Sequence, residues 1–323
     1  MSAAMSSVTA QPGSRQVVKV LFVGGMPRSG STLTDLLLHQ LPGHVGVGEL
    51  FYLWRNGVEH NGLCACGEPF LDCPFWTSVG AQAFGGWTIE LAHKMQRLQD
   101  KVDKTARLPW LLASRRPRAF DQALDEYLSM LTRLYSAVAS VSVARVVVDS
   151  SKRPSLAYAL RRSKDLDVRV VHVVRDPRGV AFSFAKHVQL PAGAALKTEM
   201  PRSSTRKVSR RWVTVNGLIG ALGRLGVPTV TIRYEDLVAK PVETLRRVLE
   251  LEGEPAPAES LAFVDGSSFI IPRTHLIAAG RIRLASGEMA LRLDEDWRAQ
   301  MPRPSRRLVD VMTVPLRWRY GYR

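Results

Sequence analysis

Residues 17–32, VVKVLFVGGMPRSGST, decide the fold. Residues 17–24 form a nearly continuous apolar run closed by glycine, the pattern of a parallel strand buried on both faces. A glycine turn occupies 25–30. From 31 to 41 apolar residues recur at helical spacing behind hydroxyl residues suited to a helix start. Strand, glycine loop and helix in that order open an α/β fold, expected here to be a P-loop-like doubly wound parallel sheet flanked by helices in a single domain over 17–323. Such sheets take their ligands at the C-terminal ends of the strands, where this loop lies.

Further strands are expected at 144–148 (ARVVV), 168–174 (VRVVHVV) and 228–232 (PTVTI). Amphipathic helices are expected between and after them. One spans 119–141, with Phe120, Leu124, Leu128, Leu131, Leu134 and Val138 on one stripe; others span 204–225 and 242–251. Residues 60–118 read as the least regular part and are expected to form an irregular insertion or acceptor-side lid.

Of 323 residues, 46% are hydrophobic and 23% charged, which excludes wholesale disorder. No run of about 18 apolar residues occurs, so no bilayer span is expected. Residues 1–16 are Ser/Ala-rich, lack the basic start and apolar core of a signal peptide, and are expected to be a disordered tail. Three cysteines, confined to ten residues, are too few and too local for an extracellular disulfide framework, so a cytoplasmic protein is expected. The net charge of +16, carried mainly by 35 arginines, favours anionic partners: nucleic acid, an acidic membrane surface, or phosphorylated and sulfated small molecules. It is spread along the chain with no run of the kind that marks a nucleic-acid tail.

Residues 25–32, GMPRSGST, have the frame of a phosphate-binding loop, G-x-x-x-x-G-K-[ST], with Ser31 in place of the lysine. Backbone N–H groups, the helix N-terminus and the hydroxyls of Ser29, Ser31 and Thr32 still suit an anion. The lysine that grips β- and γ-phosphates is lost, which argues against a nucleoside triphosphate; Arg28 is placed to supply the missing charge. A second cluster, HVVRDPRGVAFS at 172–183, again ends a strand. Its Arg175 and Ser183 flank a strand-to-helix turn and suit one phosphate.

Together these segments resemble the sulfotransferases that use 3′-phosphoadenosine 5′-phosphosulfate (PAPS), and stretches 45–53 and 280–302 resemble the bacterial branch. The resemblance implies that Arg28, Ser29, Gly30, Ser31 and Thr32 hold the 5′-phosphosulfate, that Arg175 and Ser183 hold the 3′-phosphate, and that Tyr234, in RYEDL, approaches the adenine. Arg281 and Arg283 match the C-terminal anion loop, although Gly280 stands where the family usually carries a polar residue. Glu49 matches the glutamate base, with His44 as a rival. Sulfuryl transfer builds negative charge on the departing phosphate, and fixed cations stabilise it without requiring a metal; Arg28 and Lys152 are the candidates. The implied partners are PAPS, its product 3′-phosphoadenosine 5′-phosphate (PAP), and a small-molecule, glycan or lipid acceptor, not nucleic acid; a peripheral membrane contact stays open, and oligomeric state is not legible.

Two other classes compete. An ATP-dependent kinase on the same fold would use Asp149 to bind magnesium. A non-catalytic binder of nucleic acid or acidic lipid would use the terminal RWRYGYR (317–323), though such tails more often pack on their own domain. Separately, His60, Cys64, Cys66 and Cys73 have a spacing compatible with zinc, with a disulfide, or with free thiols.

Overall fold

The computed structural model describes residues 17–187, 189, 202–253, 258–278 and 281–323. The tail expected over 1–16 lies outside them. Five parallel strands form the central sheet: β1 (Val18–Gly25), β2 (His44–Gly48), β3 (Val146–Lys152), β4 (Leu166–Val174) and β5 (Thr229–Arg233), in the order β2-β3-β1-β4-β5. The strand before the glycine loop is thus central, paired with β3 on one side and β4 on the other.

Strand periodicity divides the core. Val18, Val20 and Phe22 of β1 enter one apolar cluster, while Leu21 and Val23 enter another across the sheet. That two-sided burial is why the strand reads as continuously apolar. Helix α1 (Ser31–His39) covers one face with Leu36, Leu37 and Leu38. On the opposite side α2 (Pro74–Phe84) and α3 (Ile89–Val102) pack against the 25-residue α4 (Arg118–Ser142), which lies on the sheet and whose apolar stripe is buried as its spacing predicts. Next come α5 (Pro154–Leu160), α6 (Pro177–Ala185), α7 (Thr205–Ala221), α8 (Tyr234–Ala239) and α9 (Pro241–Glu252).

Residues 60–118, expected as an irregular insertion or acceptor-side lid, are more regular than their sequence suggests. Beyond the loop at 60–73 the segment is mainly helical, and Trp76, Met95 and Val102 are fully buried. Its prolines and glycines misled because they punctuate helices: Pro74 opens α2 and Gly85, at φ 78°, closes it. Among the described residues no helix is long and apolar enough to cross a membrane.

Candidate active site

Each of the five sheet strands delivers a polar residue at or just beyond its C-terminal end. From β1 the chain enters the loop at 26–30 and then α1. Gly30 caps α1 at φ 90°, and a Cβ there would come within 2.5 Å of the Tyr234 ring, so the loop backbone lies directly against the tyrosine that follows β5. Ser29 is fully buried, its Oγ has no hydrogen-bond partner among the described residues, and unlike its neighbours Arg28, Gly30, Ser31 and Thr32 it does not line the cleft described below. Arg28 adopts φ 70°, a strained conformation for a side chain other than glycine. Its guanidinium lies 4.4 Å from the centroid of the Phe184 ring and donates to the carbonyl oxygen of Ser183.

Arg175 follows β4. Its Nη1 donates to the Arg28 carbonyl at 3.1 Å, and its Cζ sits 4.6 Å from the centroid of the Tyr234 ring. Nη2 reaches the Asp294 carbonyl at 2.8 Å and the Asp294 carboxylate at 3.1 Å. Burial works against the charge on Asp294, but the hydrogen bond and charge of Arg175, with Lys186, hold it below the usual carboxylate range. A cleft of about 770 Å³ results. Arg28, Gly30, Ser31, Thr32, Arg175, Ser183 and Tyr234 all line it, together with Glu49 and Lys152 at one end.

Glu49 follows β2. Its N–H donates to Ile277 O at 2.8 Å, and Ile277 N–H donates to Val47 O at 2.9 Å, so a distant segment fixes the backbone on either side of Gly48. Lys152 ends the neighbouring β3 at φ 66° and places Nζ 2.7 Å from Glu49 Oε1 and 3.1 Å from Ser150 O. Burial raises the Glu49 pKa above its ordinary value, and the Lys152 charge opposes that rise. Beneath them lies Asp35 of α1, fully buried. It accepts from Ser150 Oγ at 2.5 Å and Gly48 N at 3.1 Å. Burial lifts its pKa to about 7, opposed by the Ser150 hydrogen bond and reinforced by Asp149. A Cβ on Gly46 would fall 2.1 Å from Asp35 Oδ1, so only glycine leaves room for this carboxyl group.

A second cleft, of about 830 Å³, shares Pro27, Glu49, Tyr52, Lys152 and Arg211 with the first. One wall is the basic face of α7, with Arg206, Lys207, Arg210 and Arg211; Arg153 also lines the cleft, and Glu49 is its sole carboxylate among the described lining residues.

The sulfotransferase family profile matches residues 21–258, which carry the loop and all five strand ends. The chain belongs to the sulfotransferase family. Among solved structures, the sulfotransferase domain from the curacin biosynthetic pathway is 18% identical with a TM-score of 0.54, covering 95% of this chain and 99% of its own. Sulfotransferase STF9 from Mycobacterium avium is 14% identical with a TM-score of 0.47, covering 95% and 78%. The first of these establishes a shared fold. No curated protein matches the chain significantly.

Some sequence candidates of this sulfotransferase lie elsewhere. His44 is paired with Glu252 at 2.9 Å, with both side chains almost wholly buried, and does not line either cleft, so the rival base is removed from the site. Arg283 is buried and donates to Leu63 O at 2.7 Å; its charge is felt by Glu49, but it does not line the cleft. The Arg281 side chain lies outside the described residues. Asp149, the kinase reading's magnesium ligand, is fully buried, with its oxygens held by Tyr135 Oη at 2.6 Å and by Ser151 N and Oγ at 2.8 and 2.5 Å. In the terminal segment Arg317 and Tyr322 are buried; Tyr322 Oη donates to Glu235 at 2.6 Å, so this tail packs on its own domain. Asp35, Tyr52 and Asp294 were missed, since nothing local marks a single acid or tyrosine as part of a site assembled from distant segments.

Proposed function

We propose that this sulfotransferase transfers a sulfuryl group from PAPS to a hydroxyl of a negatively charged acceptor, with Glu49 as the general base. The observation that carries this reading is the position of the Glu49–Lys152 pair at the junction of the two clefts. The first cleft fits an anionic nucleotide: Gly30, Ser31 and Thr32 at the α1 N-terminus line it together with Arg28, Arg175 and Ser183, which are linked to one another by hydrogen bonds. Arg175 is engaged by Asp294, and the 3′-phosphate would take the place of that carboxylate. Tyr234, flat against the loop, is the surface for the adenine.

PAPS, when bound, supplies the sulfuryl group and leaves as PAP. The chain's own groups do the rest. Glu49, whose burial raises its proton affinity, takes the acceptor hydroxyl proton as the new oxygen–sulfur bond forms and the bond to the bridging oxygen breaks. Protonation neutralises the partner of Lys152, so the ammonium charge becomes available to the departing phosphate at the moment its negative charge grows. Arg28 adds positive charge from within the loop. The basic wall of α7 supports an acceptor bearing phosphate, sulfate or carboxylate.

Thermal stabilisation by PAP, compared with ADP and ATP, tests the donor assignment. Selective stabilisation by PAP is expected. Stabilisation by ATP with magnesium, and none by PAP, would replace this reading with the kinase. The buried Asp149 and the missing loop lysine both weigh against that outcome.

A further inference from the structure

The three cysteines converge with a histidine that is remote in sequence. Cys73 Sγ lies 3.7 Å from Cys64 Sγ and 3.6 Å from Cys66 Sγ. His275 Nδ1 lies 3.2 Å from Cys73 Sγ and 3.6 Å from Cys64 Sγ. All four ligand atoms fall within 4.8 Å of one another, and His60 is not among them. A tetrahedral zinc ion, with sulfur at about 2.3 Å and nitrogen at about 2.05 Å, has sulfur–sulfur edges of about 3.8 Å and sulfur–nitrogen edges of about 3.6 Å. Three of the four quoted edges match that tetrahedron within about 0.2 Å, and the Cys73–His275 edge is about 0.4 Å shorter. A disulfide instead needs one sulfur pair at about 2.05 Å, and all three cysteines are free.

The frame around the four residues is built to hold them. Cys64 and Cys66 sit in a tight turn closed by Cys64 N to Glu68 O at 2.8 Å and Gly67 N to Cys64 O at 3.0 Å. Cys73 caps the N-terminus of α2, where a thiolate is favoured by the helix dipole. The His275 ring is stacked on Phe75, 4.7 Å between centroids and 13° between planes, and its carbonyl accepts from Trp76 Nε1 at 2.9 Å. Three soft thiolates and one imidazole select zinc over magnesium or calcium, and four protein ligands leave no open position for chemistry.

We infer that Cys64, Cys66, Cys73 and His275 form a structural zinc site that positions the segment behind Glu49. His275 is two residues from Ile277, whose backbone brackets Gly48, and Ala65 N donates to Leu276 O at 3.2 Å beside the cluster. The ion would bolt the 64–73 loop to this segment and so fix the backbone from which Glu49 projects. The site stands or falls independently of the acceptor and of the role given to Glu49, because its readouts are metal content and spectra.

The whole chain, purified without chelator or added metal, is expected to carry about one zinc per molecule by elemental analysis. Growth with cobalt should give thiolate-to-cobalt charge-transfer bands and the visible absorption of a tetrahedral site. Cys73→Ser and His275→Ala should lose most of the bound zinc, whereas His60→Ala should keep it. Removing the metal should lower the melting temperature of the wild-type protein. Two results overturn the site: wild-type protein with less than about 0.1 zinc per chain that also takes up no cobalt, or a native disulfide among the three cysteines. Should the variants fail to fold, wild-type stoichiometry and the cobalt spectrum still decide it.

Discussion

Lys152 Nζ stands 2.7 Å from Glu49 Oε1 at the ends of adjacent strands β3 and β2, with 8% and 15% of the two side chains exposed. At such burial the pair is only weakly screened by solvent, and removing one partner leaves the other charge poorly compensated. The pair faces both clefts, so its charge balance is tied to whatever binds in either.

Glu49→Gln keeps the shape of the side chain but cannot take a proton. Turnover is expected to fall by ~10²–10⁴-fold, while PAP is still bound and the uncompensated Lys152 charge lowers the melting temperature. A base acts in its deprotonated form, and burial raises the pKa of Glu49. The rise of kcat/KM with pH should therefore lie above the ordinary glutamate range. Near-normal turnover of this variant on the true acceptor would remove Glu49 from the role of base.

Asp35 holds its proton more tightly in the folded chain than in the unfolded one, with its pKa lifted from 3.8 to about 7. The folded state then binds more protons in that window, so this group's contribution to stability falls as pH rises from about 4 to about 7. Asp35→Asn removes the titration. Its melting temperature should gain on the wild type across that range, and a constant difference between the two would contradict the assignment.

Replacing Arg175 or Ser183 with Ala should weaken PAP binding, by ~1.5–3 kcal/mol for the charged contact. Adenosine 5′-phosphosulfate, which lacks the 3′-phosphate, should lose much less. Calorimetric titration of both nucleotides separates the cases, and equal losses would show that these residues do not read the 3′-phosphate.

Gly30→Ala meets two obstacles: a φ of 90° and a methyl group 2.5 Å from the Tyr234 ring. A loss of about 1–3 kcal/mol in stability is expected from the backbone alone. Tyr234→Ala in the same chain should recover only the part due to the clash, read as a double-mutant cycle in denaturant. Full additivity of the two changes would mean that the ring and the loop do not touch.

Reversing Arg206 and Arg210 to Glu should leave PAP affinity intact and reduce turnover on a phosphorylated or carboxylated acceptor by about tenfold at low ionic strength. Added salt should narrow the gap. If an uncharged acceptor were used best, and equally by both forms, the proposed acceptor class would be wrong.

Four of the five strands were legible as apolar runs, β1 most of all because both its faces are apolar and glycine and a helix follow; β2, five residues with two glycines, was not among those expected. That Arg175, Tyr234 and Glu49 line the cleft was legible because each follows a strand end within a short motif, and Ser183 because α6 carries it back toward Arg175. Other participants were hidden for a common physical reason. His275 joins the cysteines, and Ile277 brackets Gly48, only through long-range packing. Asp35 occupies a helix whose other residues spell an ordinary apolar face, and its role depends on the space left by Gly46. The helices within 60–118 were obscured by breakers that turned out to be caps.

The wall common to the two clefts has a kinetic consequence. The two clefts, proposed above to take donor and acceptor, touch along Pro27, Glu49, Tyr52, Lys152 and Arg211 and otherwise have separate linings. Neither substrate then has to vacate the protein before the other enters. Initial-rate plots should intersect, as for a ternary complex, rather than run parallel. Product inhibition should be asymmetric, with PAP competing against PAPS and leaving the acceptor's berth accessible.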